Sequence, residues 1–170
     1  GTAYIPGLAD FVPMVKGTSS MAIGGPYLVR SVVGEDISEE ELGGSKVHTR
    51  VSGVADLECK SDDACIEAIR TYLGFFPAHC EEKTPRVATR PPPEGAAEAL
   101  LDVLPEASRQ SYDVRALLQN IVDGGELFEL KPRWAPNITC ALARIDGRAV
   151  GIVANKPKYL GGVLDVNASD

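Results

Sequence analysis

Side chains that ordinarily carry chemistry are scarce in this chain. It has two histidines, His48 and His79, and four cysteines, Cys59, Cys65, Cys80 and Cys140. His48 follows Gly43-Gly44 and precedes Ser52-Gly53. It admits two readings, a general base or a ring that positions its loop by hydrogen bonds, and the second is favoured. His79 and Cys80 are sequence neighbours, which rarely converge as base and nucleophile, so a surface role is the simpler reading. The cysteines have no C-x-x-C spacing, which argues against zinc and for reduced thiols. Asp10 and Asp56 read as capping or loop-bracing carboxylates. What the chain does offer is paired glycines, at Gly24-Gly25, Gly43-Gly44 and Gly161-Gly162. A pair at a strand-to-helix junction permits left-handed backbone angles, and a turn is the commonest reason for one. The chemical alternative is an oxyanion hole, in which backbone N–H groups at a helix start are aimed at a developing enolate or alkoxide. Spacing alone favours the turn for each pair taken separately.

Other sites are missing by pattern. There is no P-loop, no G-x-G-x-x-G after a strand, no H-E-x-x-H and no G-x-S-x-G. A net charge of −7 without a Lys/Arg stripe argues against nucleic-acid binding. No apolar run reaches the length of a bilayer span, so no membrane insertion is expected. With 44% hydrophobic and 24% charged residues, the 170-residue chain reads as an ordinary globular protein of one domain or two small ones. It opens at Gly1, without an initiator methionine and as if inside an element, and is expected to be a piece of a longer protein.

The elements that must position these glycines are short. A helical turn is expected from Tyr4 to Asp10, then strands at Phe11–Val15 and Ser20–Ile23. Pro26 suits a first helical position, Tyr27–Val33 a short helix and Gly34 its stop. Glu35 to Glu41 reads as a solvated, partly helical link. Ser61 caps a helix with Asp62 and Asp63 in its first turn and Cys65, Ile66, Ile69, Tyr72 and Leu73 on one face, ended by Gly74. From Pro77 to Pro105 prolines mark an extended linker, interrupted by an Ala/Leu-rich turn from Ala96 to Leu104. A second unit starts at Asp113, the cap of a helix over Val114–Val122 closed by Gly124-Gly125. Leu127–Leu130 reads as a strand. Asp146-Gly147 between Cys140–Ile145 and Arg148–Ala154 is a two-residue hairpin signal. Interleaved short strands and helices indicate an α/β fold.

Strings of residues then carry a resemblance. They include Gly1-Thr2-Ala3-Tyr4-Ile5-Pro6, Met14-Val15-Lys16-Gly17-Thr18-Ser19, Glu41-Leu42-Gly43-Gly44, Ser52-Gly53-Val54-Ala55-Asp56 and Ser111-Tyr112-Asp113-Val114. Gly147-Arg148-Ala149-Val150-Gly151-Ile152-Val153-Ala154-Asn155-Lys156-Pro157 and Gly161-Gly162-Val163-Leu164-Asp165 continue them. Over nearly its whole length the chain resembles the carboxyltransferase (β) subunit of biotin-dependent acyl-CoA carboxylases. The propionyl-CoA carboxylase β and methylmalonyl-CoA decarboxylase α types are the nearest in kind.

The resemblance implies a crotonase-like spiral of ββα turns, present as two incomplete domains. Residues 1–80 would end the first, acyl-CoA-side domain, 81–112 would form the linker, and 113–170 would begin the second, biotin-side domain. It implies biotin on a separate carrier domain or subunit, a short acyl-CoA substrate (propionyl-CoA ahead of acetyl-CoA) and no metal. The implied partners are a biotin carboxylase/biotin carboxyl carrier subunit and further copies in a hexamer, a trimer of dimers. The implied compartment is a bacterial or archaeal cytoplasm or the mitochondrial matrix. In the implied reaction the biotin ureido group removes the thioester α-proton, and two oxyanion holes, one per domain, stabilise the enolates. By the same resemblance Gly1 belongs to the acyl-CoA-side hole and Gly161-Gly162 to the biotin-side hole. Gly24, Gly25, Gly43 and Gly44 shape the acyl-CoA wall. Gly161 stands where the family often has alanine, which a backbone donor tolerates. Two alternatives stay open: the decarboxylase direction, in a sodium-pumping complex, and a non-catalytic CoA-binding assembly subunit.

Overall fold

A computed structural model describes residues 3–107 and 110–169. The chain divides into two compact units, Gly1–Thr71 and Tyr72–Asp170. Gly1 itself lies outside the described residues.

The first unit is organised by a two-stranded parallel sheet. Strand β1 (Pro13–Val15) pairs with β2 (Leu57–Cys59), placing Met14 opposite Glu58. Val12, Met14 and Ala55 form the buried core, with Met21 packed against them. Asp56 braces the entry to the sheet: its Oδ2 accepts from Val12 N–H at 2.7 Å, and its own N–H donates to the Val12 carbonyl at 2.8 Å. The loop-bracing role expected for this carboxylate is therefore the one observed.

Short helices surround the sheet. Helix α1 covers Tyr4–Gly7. Helix α2 covers Pro26–Val32, with Pro26 at its first position and Gly34 beyond its end at φ +81°. The acidic link resolves into helix α3, Glu39–Gly43, begun by a reciprocal capping box between Ser38 and Glu41 that the sequence reading passed over. The Ser38 hydroxyl and backbone N–H hold the Glu41 carboxyl below its usual range. Helix α4, Ser45–Arg50, follows at once, with Gly44 shared as the hinge between the two.

Two expectations are corrected here. Ser20–Ile23 is not a strand: Ser20 makes a single antiparallel bridge to Gly44, and Met21 N–H donates to the Gly43 carbonyl at 2.8 Å. The partner backbone is a helix end, which offers one rung and no ladder. Helix α5, Asp62–Leu73, is capped by Ser61 as expected, with Ala64 N–H donating to Ser61 Oγ. Its more covered positions, however, are Cys65, Ala68 and Tyr72, while Ile66, Ile69 and Leu73 are exposed. The helix turns a narrow small-residue stripe inward rather than its larger aliphatic one.

The second unit is built on an antiparallel meander of β3 (Phe128–Leu130), β4 (Ile138–Ile145) and β5 (Arg148–Asn155). Thr139, Ala141 and Ala143 alternate as the buried face of β4. Asp146 and Gly147 adopt φ +53° and +71°, the angles of the two-residue turn their types demand. Helix α6 covers Ala96–Val103. Helix α7 covers Val114–Gln119, and its Asp113 cap accepts from Arg115 N–H. Helix α7 ends three residues before the expected Val122, where Asn120 Nδ2 donates back to the Ala116 carbonyl. Helix α8, Val166–Ser169, starts at Asp165, whose Oδ1 accepts from Ala168 N–H.

The stretch read as a linker lies extended against the hairpin. Val87 N–H donates to the Gly147 carbonyl, and Gly124 N–H to Pro91. Thr89 and Arg86 bind the Asp146 carboxylate and hold it below its usual range. Arg90 is paired with Glu126. At the centre is Asp123, 6% exposed, whose two oxygens accept from the N–H groups of Asp146 (3.0 Å) and Gly147 (2.7 Å). Asp123→Ala would leave those turn donors without their acceptor. The expected loss is about 2 kcal/mol of stability, read as a lowered thermal midpoint, and no functional residue is touched.

Candidate functional site

The first unit gathers its glycines around the backbone of Met21. Its N–H donates to Gly43, and its carbonyl lies 2.7 Å from His48 Nε2. A carbonyl can only accept, so His48 carries a proton on Nε2; Nδ1, 2.8 Å from Ser52 Oγ, then accepts from the hydroxyl in the neutral ring. Both ring nitrogens are engaged, which makes His48 the loop-positioning residue and leaves no lone pair free for general-base work. Beneath it, buried Ser45 donates to Glu58 and buried Thr49 donates to the Ser45 carbonyl, fixing α4 against the sheet.

The glycines paired as Gly24-Gly25 and Gly43-Gly44 lack the left-handed angles that such pairs permit. None has positive φ; Gly25 and Gly44 both sit at φ −71°, ψ 172°. At Gly43 a Cβ would overlap the Met21 carbonyl oxygen, and at Gly44 the Glu40 carbonyl and side chain. Close approach, not a left-handed turn, excludes side chains at that pair. At Gly24 a Cβ would meet only the flexible end of Leu28, and at Gly25 nothing within 4 Å.

Two clefts of about 290 Å³ each share Ala3, Met21 and Ala22 as walls. One adds Ser20, Gly25, Pro26 and Leu42 and reaches the start of α2, which no side chain caps. The other is largely apolar, adding Leu8, Ile23, His48 and Val54. Gly25 thus lines the first cleft together with Ala3, whereas Gly24, Gly43 and Gly44 are not among the residues lining either cleft.

The second unit holds the other pair. After β5 the chain makes a short 3₁₀ turn over Leu160–Gly162, in which three successive residues have positive φ, at +48°, +64° and +81°. The Leu160 carbonyl accepts from Val163 N–H at 3.2 Å, and the Tyr159 carbonyl from Gly162 N–H at 2.8 Å. A trans peptide is planar, so with the Leu160 carbonyl turned inward the Gly161 N–H faces the opposite way. Among the described residues nothing accepts from it, and the space around Gly161 is open.

Charged contacts anchor this turn from below. Glu129, its side chain 7% exposed, meets Lys156 Nζ at 2.8 Å and Arg115 Nη1 at 2.9 Å. Lys158 pairs with Asp113 at 3.0 Å and holds that carboxyl below its usual range. Of these residues the sequence marks Asp113 as a helix cap, and Asn155 and Lys156 lie inside a string that carries the resemblance. No motif distinguishes an anchoring asparagine from any other. Among the remaining nucleophiles and bases, His79 pairs with exposed Glu82 at 3.2 Å. Burial, with Cys65 beside it, pushes the Cys59 thiol up to about 11, which keeps it from thiolate chemistry.

Residues 1–170 match the carboxyl transferase domain family over their whole length. The chain belongs to that family. It is 45% identical over 170 residues to the methylmalonyl-CoA decarboxylase subunit alpha of Veillonella parvula, covering 100% of this chain and 33% of that one. It is 38% identical over 169 residues to the mitochondrial propionyl-CoA carboxylase beta chain of Homo sapiens, covering 99% and 31%. Among solved structures, the transcarboxylase 12S hexamer crystallised with hydrolysed methylmalonyl-coenzyme A superposes with a TM-score of 0.92 at 39% identity, over 100% of this chain and 33% of that one. The chain thus spans about a third of the length of the relatives it matches. The expected α/β, crotonase-like carboxyltransferase fold is the fold found.

Close backbone approach at Gly43 and open space at Gly25 make a sharp prediction about the two glycines. Gly43→Ala should destabilise the protein by about 2 kcal/mol, because the Met21 carbonyl must move. Gly25→Ala, at an ordinary φ with open space, should cost less than about 1 kcal/mol. Paired thermal melts of the two variants read the difference directly.

Proposed function

We propose that this chain is part of a protein that moves a carboxyl group between carboxybiotin and the α-carbon of a short acyl-CoA, with propionyl-CoA ahead of acetyl-CoA. The observation that carries the reading is the outward, unshared N–H of Gly161 within a positive-φ turn, in a chain of this family. Bound biotin would supply the carboxyl group and a ureido base, which fits a site that holds N–H donors and no free imidazole. The Gly161 N–H would donate to the developing biotin oxyanion, while Gly162 shapes the turn that aims it. In the first unit Gly25 would line the acyl-CoA cleft and Gly24, Gly43 and Gly44 support it. Gly1 would complete that side.

By this reading residues 1–80 close the acyl-CoA-side domain, 81–112 connect, and 113–170 open the biotin-side domain. The docking of the 86–91 stretch on the Asp146-Gly147 hairpin supports treating it as the lead into the second domain. The proposed partners are a biotin carboxylase/biotin carboxyl carrier subunit and further copies in a hexamer, as the printed description of transcarboxylase 12S reports for that protein. Leu8, Ile23 and Tyr27 are 87%, 82% and 90% exposed, which supports an apolar face covered by more protein and an isolated chain without activity. Among the described residues no helix is long and apolar enough to cross a membrane. Relatives from bacteria and mitochondria support a cytoplasmic or matrix setting.

The decarboxylase direction is kept as a second reading because identity to the Veillonella alpha subunit, 45%, exceeds the 38% to the human carboxylase chain. Identity does not sort the two directions, since a second decarboxylase alpha subunit, from Propionigenium modestum, stands at 35%. The test is methylmalonyl-CoA-dependent carboxylation of free biotin by the full-length protein. Gly161→Pro removes the donor and a φ that proline cannot adopt. Transfer is expected to fall by at least ~100-fold while acyl-CoA binding persists. Undiminished transfer in that variant would overturn the biotin-side assignment. Acyl-CoA binding without any transfer by the unmodified protein would point instead to an assembly subunit.

A further inference from the structure

The orientation of the Gly161 N–H is not set by Gly161. It is set by the Leu160 carbonyl in the same peptide plane, which is held inward by Val163 N–H. Val163 is in turn held from outside the turn: Asn137 Nδ2 donates to its carbonyl at 2.8 Å and also reaches Asp165 Oδ1 at 3.3 Å. The preceding carbonyl, of Gly162, accepts from Asn155 Nδ2 at 3.2 Å. Two carboxamides, one at each end of the β4–β5 hairpin, therefore grip the two consecutive carbonyls that follow the donor. They are also tied to each other, since the N–H of Lys156, next after Asn155, donates to the Asn137 carbonyl at 2.7 Å.

The two anchors are placed differently. Asn137 is 1% exposed, and its Nδ2 is engaged by the Val163 carbonyl and Asp165 Oδ1. At Gly162, buried at φ +81°, a Cβ would lie 2.8 Å from Asn155 Nδ2 and 3.6 Å from Pro157 Cα. Glycine suits that φ, and the Asn155 amide lies in the space a side chain would enter. At Gly161 nothing lies within 4 Å. The two glycines have different duties, one presenting the donor and the other making room for its anchor.

We propose that Asn155 and Asn137 are positioning residues that hold the Gly161 N–H in its donating orientation through the Gly162 and Val163 carbonyls. This rests on the biotin-side assignment above.

The test uses full-length protein and methylmalonyl-CoA-dependent carboxylation of free biotin, with Gly161→Pro as the reference. Asn155 is exposed, so Asn155→Ala is expected to keep its thermal midpoint and its KM for acyl-CoA while kcat falls about 10-fold, as a misaimed donor would give. Asn155→Gln, which can still donate, should recover most of that loss. Amide exchange at Gly162 should quicken in the alanine variant and not in the glutamine one. Asn137→Ala should add a comparable kcat loss; if it does not fold, Asn155 decides alone. Unchanged kcat in Asn155→Ala beside an inactive Gly161→Pro would overturn the positioning role and leave the assignment standing. A kcat loss matched by a risen acyl-CoA KM or a lowered midpoint would also overturn it. An active Gly161→Pro would remove the assignment and this proposal together.

Discussion

Both units depend on backbone approaching closer than any side chain permits. The Met21 carbonyl reaches Gly43, and the Val87 carbonyl reaches Gly147. In each case a Cβ would occupy the space of the partner atom, so the residue type is dictated by the neighbour. These approaches replace long sheet ladders. Among the described residues the first unit has only three-residue strands, and its segment at Ser20–Met21 is tied by a single bridge to Gly44, the Met21 N–H to Gly43 and the His48 ring on the Met21 carbonyl. Removing one such glycine therefore shifts a whole segment, because few parallel contacts share the load.

Local signals in the sequence reach as far as local physics does. The Asp146-Gly147 turn, the Asp113 and Ser61 caps, and the Pro26 start and Gly34 stop of α2 all appear where residue type demands them. Each is decided by angles or donors within four residues. The Ser20–Ile23 segment is decided by what lies beside it, and a helix end provides no ladder. Helix α5 shows the same limit: its periodicity predicts a stripe, but which stripe is covered depends on neighbours the pattern does not contain. The 86–93 part of the Pro77–Pro105 stretch is extended, as its prolines require, while Ala96–Val103 is helical. The docking of the extended part, however, rests on Glu126, Asp146 and Gly147, dozens of residues away in sequence.

The glycine pairs were legible as important and illegible in kind. Gly43-Gly44 and Gly161-Gly162 look alike in sequence, yet the first pair has ordinary angles and crowded neighbours while the second has positive φ throughout. Only the second pair's turn directs an N–H away from the chain's own acceptors. His48 illustrates the converse. Its type suggests a base, and its two hydrogen bonds spend both nitrogens on holding Met21 and Ser52.

A site made of backbone donors has no side chain to tune, so its strength lies in how firmly the peptide plane is held. A preorganised N–H stabilises developing charge because no reorganisation is needed at the moment of reaction. Here that rigidity is assembled in steps: the Leu160 carbonyl is fixed by Val163, and the Gly162 and Val163 carbonyls are fixed by Asn155 and Asn137. The loop that carries the turn is pinned through Lys156 to Glu129, which Arg115 also contacts. A largely buried carboxylate with two cationic partners is expensive to desolvate and strongly directional once made. Lys156, one residue after Asn155, couples that direction to the turn. On the proposed reading, the charges in the second unit serve to orient a neutral donor rather than to touch the reacting groups themselves.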